Sequence, residues 1–169
     1  MLKNVLSINK YQDRDINKQY HEEYQYLNLL KDIIKEGTVQ EGRNGKTKSV
    51  FGAAMHFSLE NNKIPILTTK KTAWKTCLKE LLWFIKGDTS NKRLNDVGVH
   101  IWDGNTTREF LDSRGLQHYE EGDAGSLYGF VWRHFGAEYK GCDADYSGKG
   151  IDQLQNVINT LKDPEQRTS

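Results

Sequence analysis

Glu80 sits in KELLWFI, a carboxylate among large apolar side chains. If that segment is helical, Trp74, Leu78, Leu81 and Ile85 share one face. At about 100° per residue, Glu80 then lies about 120° from that face, beside Trp83 and Phe84. Burying a charge is costly unless it is paired, and the pKa of such a carboxyl tends to rise. That is the setting of a proton shuttle. The alternative is a glutamate at the edge of the stripe, paired with Lys79 or another cation. Arg43, flanked by Gly42 and Gly45, is placed to present a guanidinium and backbone N–H groups to a phosphate, or else lies on a solvated loop. The loop lacks the spacing of a P-loop. Trp102, Tyr128, Phe130 and Trp132 offer flat faces for a heterocycle, and serve equally well as core packing. Cys77 falls on the apolar face and reads as a small core residue. Cys142, in KGCDAD, reads as an exposed thiol whose acidic neighbours disfavour the thiolate. The five histidines show no i,i+4 pairing and the cysteines no CxxC, so no metal site is expected.

Several elements must position these residues. Tyr26, Leu27, Leu30, Ile33 and Ile34 recur at helical spacing, and Gly37 supplies the stop. GTVQEGRNGKTKS reads as a basic, glycine-rich loop. VFGAAMHFSL alternates at strand period with a bulge at Gly52, and ILTT is a second extended piece. Residues 72–86 carry the strongest helical pattern, closed by Gly87. Asp88 caps a short helix over SNKRLNDV, and HIWDGN is a brief extended or turn element. Thr106 and Glu109 form a capping box for a helix ending at Gly115. GDAGSLYGFVWRHFGAEY reads as loop to strand, and a final amphipathic helix runs from Ile151 to Leu161. This mixture predicts α/β or α+β. Residues 1–21 are polar and aperiodic, a flexible N-terminal extension or linker; residues 22–169 form the folded part.

The formal net charge is +1 and the mean hydropathy is −0.77. Leu, Ile, Val and Phe make up 39 of 169 residues, enough for a thin core. No apolar run approaches the ~18 residues of a membrane span. The balanced charge does not indicate nucleic acid. Two widely spaced cysteines point to a reducing, cytoplasmic compartment.

EYQYLNLLKDIIKEG, SVFG, ILTTKK, ELLWFIKGDT, IWDGN, REFLDSRG, YGFVWRHFGAEY and GIDQLQNVINTLK occur in that order. Together they resemble the thymidylate synthase family, from about residue 22 to the end. The lead-in HEEYQYL is similar to the junction in forms fused behind a dihydrofolate reductase. The resemblance implies a thymidylate synthase-like fold, incomplete in this chain, with a sheet packing at a dimer interface. It implies reductive methylation of dUMP to dTMP, with methylenetetrahydrofolate as co-substrate and no metal. In that family a cysteine thiolate attacks C6 of the pyrimidine to activate C5.

By position, the resemblance implies that Arg43 binds the nucleotide phosphate and that Arg167 reaches the phosphate of a partner subunit. Glu80 and Tyr128 serve proton transfer. Ile101, Trp102 and Asn105 line the folate ring site, and Lys70 lies near the folate's glutamate tail. The family's nucleophile belongs to a Pro-Cys-His segment that these 169 residues do not contain, and Thr168 stands where a second arginine is usual. The chain is therefore expected to be truncated and inactive alone. It is either part of a working synthase, forming a homodimer, or a non-catalytic partner pairing with a full-length subunit. A fragment of a pyrimidine hydroxymethylase of the same fold, acting on dCMP, is a further reading. From pattern alone, so is a non-catalytic α/β dimer module.

Overall fold

The computed structural model describes residues 21–42, 45–163 and 165. Arg43, Arg167 and all of the N-terminal extension except His21 lie outside the described residues. The chain divides into two compact units between Thr72 and Ala73.

In the first unit, α1 (Tyr24–Glu36) follows the predicted periodicity. Gly37 ends it, in extended rather than left-handed conformation; a Cβ there would lie 2.4 Å from the Ile33 carbonyl oxygen. Lys48 Nζ also donates to the Ile34 carbonyl, at 2.7 Å. The expected basic loop is instead an antiparallel hairpin. β1 (Thr38–Gly42) pairs with β2 (Gly45–Ser49), Thr38 opposite Ser49 and Gly42 opposite Gly45. All ten strand residues are exposed, so no apolar alternation announces the strands.

The strands expected at 50–59 and 66–69 do not form. Their backbone groups bond to side chains rather than to a neighbouring strand. Gln25 donates to the His56 carbonyl at 2.6 Å and accepts from its N–H at 2.9 Å. Glu22 accepts from Ser58 N–H at 3.0 Å. Glu23, nearly inaccessible, accepts from the N–H and hydroxyl of both Thr68 and Thr69, at 2.6–2.8 Å. Gly52 has φ +76° in a bend, not a bulge.

The second unit is helical: α2 (Trp74–Ile85), α3 (Asn91–Asp96), α4 (Asp103–Thr106), α5 (Arg108–Ser113), α6 (Tyr128–His134) and α7 (Gln153–Lys162). Its core is Trp83, Leu94 and Val99, with Phe84, Trp102, Ala124 and Leu127 packed against them. Here the predicted α2 face is corrected. Leu78, Leu81 and Leu82 are 44–48% exposed and Cys77 is exposed, whereas Trp83 is 5% exposed. α2 is apolar nearly all round, so periodicity could not choose a face. Packing chooses it: α6 crosses at Gly129, where a Cβ would lie 2.8 Å from the Phe84 carbonyl oxygen.

Four further expectations change. α6 replaces the expected strand, its close approach to α2 overriding the β preference of Phe130, Val131 and Trp132. The IWDGN segment turns into α4. Thr107, not Thr106, caps α5, accepting from Phe110 N–H at 3.1 Å; Thr106 is already the last residue of α4. Ser90 rather than Asp88 is the N-cap residue of α3, and Asp88 accepts the Ser90 N–H at 2.9 Å. The described part is thus α+β: helices with one small antiparallel sheet. No helix among the described residues is long and apolar enough to cross a membrane.

Candidate active site

Glu80 projects from the middle of α2 and is half-buried. Its Oε1 accepts a hydrogen bond from Trp102 Nε1 at 2.8 Å. The alternative partner is accounted for elsewhere, since Lys79 Nζ donates to the Val97 carbonyl. Among the described residues, the hydrogen bond that orients the carboxylate comes from a neutral indole and not from Lys79. One helical turn further on, Phe84 meets Tyr128 edge-on at 5.5 Å between centroids and Trp132 at 5.8 Å. Tyr128 is 58% exposed.

Trp102 precedes α4, and its carbonyl accepts from Asn105 N–H at 3.0 Å and from the Thr106 hydroxyl at 3.1 Å. Ile101 and Asn105 flank it and are exposed. Within α4, Asp103 takes hydrogen bonds from Asn91 Nδ2 at 2.8 Å and meets His100 Nδ1 at 3.1 Å. The Asn91 amide first, then Asn95 and His100, hold the Asp103 carboxyl below the usual range.

The structure thus joins Glu80 to Trp102, and places Ile101 and Asn105 in the same turn as that indole. Tyr128 connects to the Glu80 face through Phe84. Lys70 is exposed in the first unit. Among the described residues, no group of three or more His, Cys, Asp or Glu side chains is arranged to hold a metal.

In the second unit, sequence reasoning missed two buried polar centres. One is Asn91, 3% exposed. The other is Asp123, 2% exposed, which accepts from the Tyr139 hydroxyl, from Gly125 N–H at 2.7 Å and from Cys142 N–H at 3.1 Å. Asp123, Tyr139 and Cys142 line a cavity of 380 Å³ with Tyr119. Burial first, then the Asp123 carboxylate, pushes both the Tyr139 hydroxyl and the Cys142 thiol up. Cys142 is half-buried rather than exposed, and its acidic surroundings disfavour the thiolate as expected.

A helix-borne carboxylate aligned by an indole, with aromatic rings one turn further along the same helix, is the candidate site of this α+β chain. Comparison with known proteins gives the family. The model of the family described as thymidylate synthase matches residues 24–169. The bifunctional dihydrofolate reductase-thymidylate synthase of Zea mays is 57% identical over 149 residues, covering 87% of this chain and 28% of that one. That of Leishmania major is 54% identical over 143 residues, 84% of this chain and 28% of that one. The thymidylate synthase of Ascaris suum is 56% identical over 142 residues, 83% of this chain and 48% of that one. The chain belongs to the thymidylate synthase family. It spans between a quarter and a half of the length of these relatives.

Proposed function

We propose that residues 22–169 are the N-terminal part of a thymidylate synthase domain, with residues 1–21 as an extension, and that they contribute the folate side of its active site. The reaction is reductive methylation of dUMP to dTMP with methylenetetrahydrofolate. The observation that carries this reading is the Trp102 Nε1–Glu80 Oε1 hydrogen bond, in a chain of this family. A carboxylate held in place by a neutral donor is suited to relaying protons. Tyr128 joins that relay. Ile101, Trp102 and Asn105 line the ring site, Lys70 meets the anionic tail of the folate, Arg43 binds the nucleotide phosphate and Arg167 that of a partner subunit. The working state is a cytoplasmic homodimer.

Covalent activation of the pyrimidine needs a thiolate. Cys77 is exposed on α2, and the Cys142 thiol is pushed up by burial and two aspartates. This favours a second reading: that the 169 residues act catalytically only with a segment supplying the nucleophile, or pair as a silent partner with a complete subunit. Incubated alone with dUMP and methylenetetrahydrofolate, the chain is expected to form no dihydrofolate. Binding tests the site itself. Glu80→Ala and Trp102→Phe should each weaken folic acid binding by about tenfold or more, which is about 1.4 kcal/mol. Unchanged affinity in both variants would remove the assignment. Preference for dCMP over dUMP would point to the hydroxymethylase.

A further inference from the structure

We infer that Asn91, on α3, is a positioning residue that sets the orientation of Trp102 and through it of Glu80. The inference rests on the reading of Glu80 and Trp102 as a functional pair. α4 has four residues, too few to hold a helical turn unaided. Trp102 is its N-cap residue, so the direction of the indole depends on what secures that turn. One side chain secures both ends. Asn91 Nδ2 donates to Asp103 Oδ1 at 2.8 Å and to Thr106 Oγ1 at 3.1 Å. The Thr106 hydroxyl in turn donates to the Trp102 carbonyl at 3.1 Å.

The backbone closes the same joint. Asn91 N–H donates to the Gly122 carbonyl at 2.8 Å, and Gly122 N–H donates to the Thr106 carbonyl at 2.9 Å. Gly122 has φ +91°, and a Cβ there would lie 2.9 Å from the Lys92 side chain, so the strand-like contact needs glycine. Asn91 is a costly way merely to fill space. Its Oδ1 is buried without a partner among the described residues. An apolar residue at 91 would avoid that cost but would remove the hydrogen bonds to Asp103 and Thr106 together.

The test uses the indole N–H signals of the 169-residue chain, which has four tryptophans. Glu80→Gln identifies the Trp102 signal by its shift. In Asn91→Ala, hydrogen exchange at Trp102 Nε1 should rise about tenfold or more, with Trp83 and Trp132 within about twofold of the parent. Thr106→Val keeps the volume and breaks the same path, and it decides the matter if Asn91→Ala does not fold. Trp102 exchange unchanged in Thr106→Val, or all four signals moving together, would overturn the inference. Folic acid titration separates the two readings. If Trp102→Phe weakens binding and a folded Asn91→Ala does not, the positioning role is wrong. If Trp102→Phe itself changes nothing, the site on which it rests is wrong.

Discussion

Glu23 shows how much one side chain can organise. Its carboxylate gathers four hydrogen bonds from Thr68 and Thr69, joining the start of α1 to the segment just before Lys70. The Thr68 and Thr69 hydroxyls, then the backbone N–H groups, hold its pKa at about 2, below the ordinary 4.5. The folded state therefore binds fewer protons than the unfolded one between these values. The stabilisation is fully present above about pH 4.5 and is lost as pH falls towards 2. Melting temperatures measured across that window should fall with acid, and Glu23→Gln should flatten that part of the curve. An unchanged slope would show that Glu23 does not bind its threonines in this way. Glu80 was legible in the sequence because a carboxylate in an apolar run is conspicuous. Asn91, Glu23 and Asp123 were not, because they are ordinary polar residues whose partners lie at separations of up to 46 residues. No local pattern encodes such contacts.

At the scale of elements, the 3.6-residue period marked α1, α2 and α7, and Gly37 and Gly87 marked the ends of α1 and α2. It failed at the hairpin, which has no buried face to announce it, and where tertiary contact decides, at four-residue α4 and aromatic α6. The α2–α6 crossing makes the point measurable. Gly129→Ala would place a methyl 2.8 Å from the Phe84 carbonyl oxygen, and should cost about 1–3 kcal/mol with a lower Tm. Gly104→Ala, with open space around its Cβ and no positive φ, should stay within about 1 kcal/mol of the parent. Equal stability of the two variants would mean that α6 does not approach α2 at that residue. Because Phe84 carries both Tyr128 and Trp132 on its edges, loosening this crossing should also disturb the aromatic side of the candidate site.

At the scale of the whole chain, apolar side chains remain open on several elements. Leu78, Leu81 and Leu82 of α2 are nearly half exposed, and Leu161 of α7 is 81% exposed. Surface of this kind drives association. Sedimentation should show the 169-residue chain assembling as its concentration rises, and Leu78→Glu with Leu82→Glu should shift it towards monomer. A monomer at every concentration would show that these leucines do not drive assembly. The central claim, that residues 22–169 supply the folate side of a synthase site, is tested most directly by activity. Joined to the remaining part of the Ascaris suum synthase domain, they should produce dTMP and dihydrofolate from dUMP and methylenetetrahydrofolate. Glu80→Ala in the same chimera should lower the rate by about 100-fold, within the range for loss of a proton-transfer group. A folded, nucleotide-binding chimera without turnover, or one indifferent to Glu80→Ala, would contradict the account.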